Sequence, residues 1–382
     1  MRRQVPKWSF PYVFFLFLLI LSDVNPVSAE TAMISDSGEL LIEEMELQEV
    51  QQMLDEMLHE DHFSIKDTLK ALISGKDAFS KEAFFQFVKE DFFSELLQER
   101  SFFREVLFLI FLSALFANFS AAFENTQVGE ISFYVSYLFF FTLFMNSFTD
   151  LCESLSEILG WMADFMKGLA PSYFLAVAAS TGASTAAAFY EGILLLTWMV
   201  QWILVELLLP GTNLYVLLCL INHMSKEEML GKAAELTGTL ISWTLKTLLG
   251  VMAGLELIRG LVSPVMDTLK RSTLGKVAGS LPGIGNAVNA VTEVLLTGAV
   301  LVKNSLGVVF AAALILVGIS PLAHYLTLSL VYRFLAAVAQ PISDKRLVSC
   351  METMGEGCSF LFRIFLTAEF LCMLVLLVLN AG

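Results

Sequence analysis

Gly298-Ala-Val-Leu-Val-Lys-Asn-Ser-Leu-Gly-Val-Val-Phe-Ala-Ala-Ala-Leu-Ile-Leu-Val-Gly-Ile-Ser320 decides the fold of this chain, because its 23 residues carry a single charge, Lys303. At about 1.5 Å per residue it is roughly 34 Å long as a helix, enough to cross the ~30 Å hydrocarbon core of a bilayer. Stretches of the same kind recur on both sides: Val106 to Phe123, Ile131 to Thr149, Ala170 to Phe189, Gly192 to Asn222, Leu236 to Ile258, Leu322 to Ala339 and Phe360 to Leu379. The expected fold is therefore all-α, a polytopic helical integral membrane protein with about seven or eight spans in residues 101–382. Composition agrees: of 382 residues 56% are hydrophobic and 16% charged, and the mean hydropathy is +0.71. Soluble chains run at about 45–50% apolar and about 25% charged. That balance excludes an ordinary cytosolic enzyme or a disordered chain, and a net charge of −15 excludes a nucleic-acid binder.

The acidity is concentrated. Residues 30–100 hold 18 acidic and 6 basic side chains, net −12, while residues 101–382 carry only −5. Before them, Met1-Arg-Arg-Gln-Val-Pro-Lys7 is a basic start, Phe10 to Leu21 is an apolar run too short to span, and Val27-Ser28-Ala29 offers small residues for a signal peptidase. Residues 1–29 are read as a signal peptide cleaved after Ala29, with an uncleaved anchor as the alternative; both place residues 30–100 outside the cytoplasm. Within 30–100, Leu40, Leu47, Val50, Leu54, Met57 and Leu58 recur at helical spacing opposite a run of acids, and Phe79 to Leu97 repeats the pattern. These amphipathic helices must bury their stripes against each other, a lipid surface or a protein. Net negative charge disfavours an anionic lipid surface, so packing within the chain or onto a partner is expected. His59 and His62 share a helical stretch, but without an HExxH pattern they read as a solvated face rather than a metal site.

Positive charge sets the expected orientation. Treating Gly192 to Asn222 as one span interrupted at Pro210-Gly211 places Arg259, Lys270, Arg271, Lys276, Lys345 and Arg346 on the cytoplasmic side, the acidic Asp150 to Asp164 loop outside and the C-terminus outside. Polar groups within spans are costly unless paired or wetted. Glu206, Lys246 and Glu256 are the candidates for an intramembrane polar path or for pairing, since Lys303, Arg333 and Arg363 lie where a long side chain can snorkel; Gln201, His324 and Glu369 are further polar positions. Gly250 and Gly254 form a GxxxG pair that suits close helix packing, and the small-residue run Ala178 to Ala188 does the same. Pro210, Gly211, Pro282 and Gly283 are candidate hinges or re-entrant turns. Gly279 to Gly285 lacks the GK[ST] ending of a phosphate loop. Five scattered cysteines form no CxxC and no disulfide framework. No GxSxG, HExxH or paired nucleophile and base is present, so no enzymatic activity, no cofactor and no metal is expected.

The order of parts, together with Phe92-Phe93-Ser-Glu-Leu-Leu97, Leu281-Pro-Gly-Ile-Gly285, Thr297-Gly-Ala-Val-Leu-Val-Lys-Asn304, Leu330-Val-Tyr-Arg-Phe334, Gln340-Pro-Ile-Ser-Asp344 and Cys350-Met-Glu-Thr-Met-Gly355, resembles the stage III sporulation protein AE family of endospore-forming bacteria. The resemblance covers residues 60–382 and is strongest after 280. It implies a non-enzymatic membrane subunit of a channel or secretion-like complex that links mother cell and forespore and sustains late forespore gene expression. It implies a multi-pass protein of the mother-cell (outer forespore) membrane, with other membrane proteins of that complex and the bilayer as partners and no nucleic acid; the small-residue stretches separately suit either a tight bundle or a homo-oligomer. It carries over no active-site residues. The alternative is a secondary transporter or permease moving a small solute, for which the interruptions at Pro210-Gly211 and Pro282-Gly283 and the buried charges speak, although the halves show no internal repeat.

Overall fold

The computed structural model describes residues 42, 45, 47–58, 63–73, 104, 107–108, 111, 126–181, 183–224, 229–251, 254, 285–341 and 343–380, and among these there is no strand. Two short helices, α1 (Gln48–Leu58) and α2 (Ile65–Ile73), precede a set of long ones: α3 (Thr126–Thr181), α4 (Ala183–Gln201), α5 (Leu209–Met224), α6 (231–251), α7 (Gly285–Ala339) and α8 (Lys345–Asn380). A π-helical turn, Trp202–Leu208, joins α4 to α5 without a break. Among the described residues, three stretches are long and apolar enough to cross a membrane: Leu194–Met224, Thr297–Ala339 and Lys345–Leu376. The architecture is that of an all-α membrane protein.

Several expected boundaries move. Pro210 and Gly211 do not interrupt their span; they lie inside a continuous helix, and the reason is local. A proline lacks the N–H for its own helical bond and crowds the carbonyl four residues back. The chain relieves this by widening just before it, so that the Leu209 N–H donates to the Leu204 carbonyl five residues back. Ala170 to Phe189 is not one span either: the helix reverses between Thr181 and Ala183, putting the small-residue run at the tip of an α3–α4 hairpin. Gly298–Ser320 and Leu322–Ala339 form one helix that runs through Pro321. Arg259, Lys270, Arg271 and Lys276, on which the expected orientation rested, lie outside the described residues. Asp150 to Asp164 is helix, not loop.

The long helices run antiparallel in sequence. α3 faces α7 through Phe144 and Tyr332, whose rings sit 6.0 Å apart edge to face, and further along through Phe165 and Phe310 at 6.5 Å. α8 runs alongside α3, with Cys350 at Tyr137 and Gly357 at Phe148. The α7–α8 hairpin turns through Gln340 to Asp344. Asp344 caps α8 by accepting from the Arg346 N–H at 2.8 Å, and the Ser343 N–H returns to the Ala339 carbonyl at 2.8 Å.

The closest approaches fall on α8. A Cβ at Gly357 would stand 2.6 Å from the Phe148 ring and 2.7 Å from Val216, and one at Gly355 would stand 3.0 Å from Arg333 and 3.2 Å from the Ser329 carbonyl. Gly238 on α6 likewise receives the Tyr215 ring at 3.0 Å. Gly250 and Gly254, singled out for packing by their spacing, have no atom within 4 Å of a built Cβ. The chain brings its helices together at other glycines.

The acidic segment is docked, not free. Val50 and Leu54 of α1 and Ile65, Leu69 and Ile73 of α2 are fully buried, while Glu49, Asp55, Glu56 and Asp67 remain exposed. Val50 and Met53 lie 3.5 and 3.7 Å from the Gly168 Cβ position on α3, and the Trp161 indole N–H donates to the Met53 carbonyl at 3.1 Å. Gln51 ties the two short helices together: its amide N–H donates to the Phe63 carbonyl and its oxygen accepts from the Ile65 N–H, both at 2.8 Å. Ser64 caps α2, accepting from Asp67 N–H at 3.2 Å. The expected burial within the chain is what the structure shows for α1 and α2; Phe79 to Leu97 lies outside the described residues. The packing yields a contrast to measure. Gly357→Ala overpacks its site and should cost about 1–3 kcal/mol, lowering the melting temperature in detergent. Gly160→Ala, with open space around it, should leave it unchanged or raise it by the helix-propensity gain.

Candidate functional site

The polar groups of the bundle gather on the first half of α8. Four helices meet there, and each polar side chain is satisfied across a helix boundary. The Cys350 thiol donates to the Tyr137 hydroxyl at 3.1 Å, and Tyr137 in turn donates to the Leu220 carbonyl near the end of α5. His223 and Thr353 meet at 3.1 Å, and the Tyr215 hydroxyl donates to Glu356 at 2.7 Å. Ser329 of α7 donates to the Gly355 carbonyl at 2.8 Å. Arg363 lies over the Phe360 ring at 5.7 Å, and that ring packs edge to face on Tyr215. Residues 350–363 thus form a seam where α3, α5 and α7 are held to α8. Its groups are paired with one another, which is the arrangement of a structural node rather than of a nucleophile and base awaiting substrate.

One group departs from that pattern. Glu369, further along α8, is 3% exposed, and neither carboxylate oxygen has a hydrogen-bond partner. Its carboxyl lies against Gly318 of α7, 2.9 Å from where a Cβ would stand, so a larger residue there would require the carboxyl to shift. An orphaned buried acid costs a few kcal/mol and persists where the surroundings impose it. Beside it, Ala368, Leu371 and Cys372 border a small hollow closed by Met162 and Met166 of α3 and by Thr197 and Gln201 of α4. The hollow is apolar except for those two side chains.

The positions singled out from sequence are distributed differently. Glu206 and Lys246 are both on the outside of the bundle, and each is without a described partner. Glu256, Pro282, Gly283, Ala29, His59 and His62 lie outside the described residues. The cysteines are all free. Glu369 was visible in the sequence as a polar residue within an apolar run, but nothing in its own neighbourhood marked it above Arg363 or His324; the decisive signal, Gly318, is 51 residues away on another helix.

The family model for stage III sporulation protein AE matches residues 63–382 of the chain. The chain belongs to the stage III sporulation protein AE family. A relative in Bacillus subtilis (strain 168), named stage III sporulation protein AE, is 23% identical over 301 residues, covering 78% of this chain and 75% of the relative. No solved structure matches the chain. Membership supports a role in sporulation, and two strings that carried the resemblance now have a structural meaning: Gln340 to Asp344 is the capped turn between α7 and α8, and Cys350 to Gly355 is the start of the seam.

Replacing an unpartnered buried carboxyl by an apolar side chain of similar volume removes its desolvation cost. Glu369→Met should therefore raise stability by about 1–3 kcal/mol in a detergent melt; a fall in melting temperature would mean that the carboxyl is paired. Tyr137→Phe, which breaks a satisfied bond at both ends, should move the same melt the other way by about 1 kcal/mol.

Proposed function

We propose that the chain is a non-enzymatic, multi-pass membrane subunit of a channel or secretion-like complex linking mother cell and forespore, seated in the mother-cell (outer forespore) membrane and needed for late forespore gene expression. The observation that carries this reading is the way the acidic segment is held. The apolar stripe of α1 is spent inside the chain, against Gly168 and Trp161, and the acidic face of α1 is left outward. A surface presented rigidly, rich in charge and poor in exposed apolar side chains, suits a reversible or steered contact with other proteins. The seam on α8 supports the non-enzymatic part, since its polar groups are committed to holding helices. Other membrane proteins of the complex and the bilayer are the partners of this reading, and no nucleic acid is.

A second reading, a permease for a small solute, is favoured by one observation: Glu369, buried between α7 and α8 without a hydrogen-bond partner, is the kind of intramembrane acid found on ion and solute paths. Purification of the full chain from sporulating cells in mild detergent separates the two. The assembly reading expects stable co-purifying membrane proteins, and expects Glu49, Asp55 and Glu56 reversed together to lysine to reduce both their recovery and late forespore gene expression. Recovery of the chain alone, with sporulation lost only on Glu369→Gln, would favour the permease.

A further inference from the structure

One face of the bundle is left uncovered by the described helices. Along α4, the π turn and α5, the side chains of Trp198, Trp202 and Leu207 stand outward at 63%, 51% and 52% exposure, and Glu206 stands among them. Along α6, Leu240 and Trp243 stand outward at 54% and 64%, and Lys246 follows one turn later. Only a third of the most apolar part of Leu194–Met224 is buried inside the chain, against 61% for Thr297–Ala339.

The two exposed charges share a height. α5 and α6 form an antiparallel pair whose register is fixed at three places: Asn222 accepts from the Leu230 N–H at 2.9 Å, Tyr215 lies against Gly238, and Ile241 lies against Gly211. Continuing five residues from Gly211 and Ile241 brings Glu206 level with Lys246. Neither makes a hydrogen bond or ion pair with a described residue. Hydrocarbon cannot solvate either charge, and water would not favour the exposed tryptophans around them.

A surface that is apolar and carries one unpaired charge of each sign at a single height is complementary to itself. A two-fold axis parallel to the helices brings Glu206 of one copy onto Lys246 of the other, and Lys246 onto Glu206. Gly250, one turn beyond Lys246 and with nothing within 4 Å of its Cβ position, leaves space for the approach. We propose that this face is the interface between two copies of the chain, held by reciprocal Glu206–Lys246 pairs. The pairing does not depend on the larger complex proposed above.

The test is charge reversal in trans, with two differently tagged copies of the full chain co-expressed and captured through one tag in mild detergent. Glu206→Lys in both copies, or Lys246→Glu in both, sets like charges opposite each other and should lower capture of the second copy about tenfold. One copy carrying Glu206→Lys with the other carrying Lys246→Glu restores opposite signs at both contacts and should restore capture. A second measurement covers variants that fold poorly: Glu206→Cys in one copy and Lys246→Cys in the other should give, on oxidation in native membranes, a cross-linked dimer of the two tags that requires both introduced thiols. Undiminished capture by either single reversal would overturn the proposal. So would rescue only when both reversals sit in one chain, which would mark a pair within the chain, and so would failure of the cross-link.

Discussion

The 55-residue helix α7 is roughly 82 Å long, and the hydrocarbon that its Thr297–Ala339 stretch is apolar enough to cross is only about 30 Å thick. It exceeds the bilayer by more than twofold, the 56-residue α3 packs along it, and this excess governs the rest of the structure. Whatever length lies beyond lipid must be covered by protein on its apolar side and can face water on the other. α3 does so between Asp150 and Leu169: Leu155, Leu159, Phe165 and Leu169 point inward, while Asp150, Glu153, Glu157 and Asp164 point outward. That is the stretch on which α1 is docked. The acidic outer face of α1 and the amphipathic middle of α3 are two sides of one solution, a protein cover beside a helix too long for its membrane.

The cover requires the long helices to keep a fixed register, and close approach supplies it. Ridges of side chains on two apolar helices can slide by a turn at little cost unless some position admits only one neighbour. Gly357, receiving Phe148 and Val216 together, is such a position, and Gly318, receiving Glu369, is another. Between them the seam on α8 adds directional bonds, which are more specific than dispersion contacts in an apolar setting. Glu369 then reads as a cost accepted inside an otherwise satisfied bundle, and a group retained at a cost is where a bundle of this kind differs from a scaffold.

Length and hydropathy made the all-α membrane class legible from residues alone, since an apolar run such as Gly298 to Ser320 has few other uses. Amphipathic spacing also located α1 correctly, down to Val50 and Leu54 on the buried face. What failed was punctuation. Proline was read as a break at Pro210 and as a boundary at Pro321, yet both lie within helices, because a π turn and neighbouring helices absorb what an isolated helix would not. Gly250 and Gly254 matched a packing motif by spacing, whereas the packing glycines 318, 355 and 357 match none; their role depends on Glu369, Ser329 and Phe148, which lie 51, 26 and 209 residues away and which spacing along one helix does not report. The buried carboxyl was missed for the same reason.

The docking of the acidic segment is the claim on which this account turns, and one cross-link tests it. Val50 Cγ2 lies 3.5 Å from the Cβ position of Gly168, so a cysteine sulfur in the γ position at residue 50 would stand beside one introduced at 168. With Val50→Cys and Gly168→Cys in one full-length chain expressed in sporulating cells, the account predicts a disulfide within the chain, leaving neither introduced thiol for a membrane-impermeant maleimide. Free labelling of both thiols, or a disulfide that joins two chains instead, would contradict it.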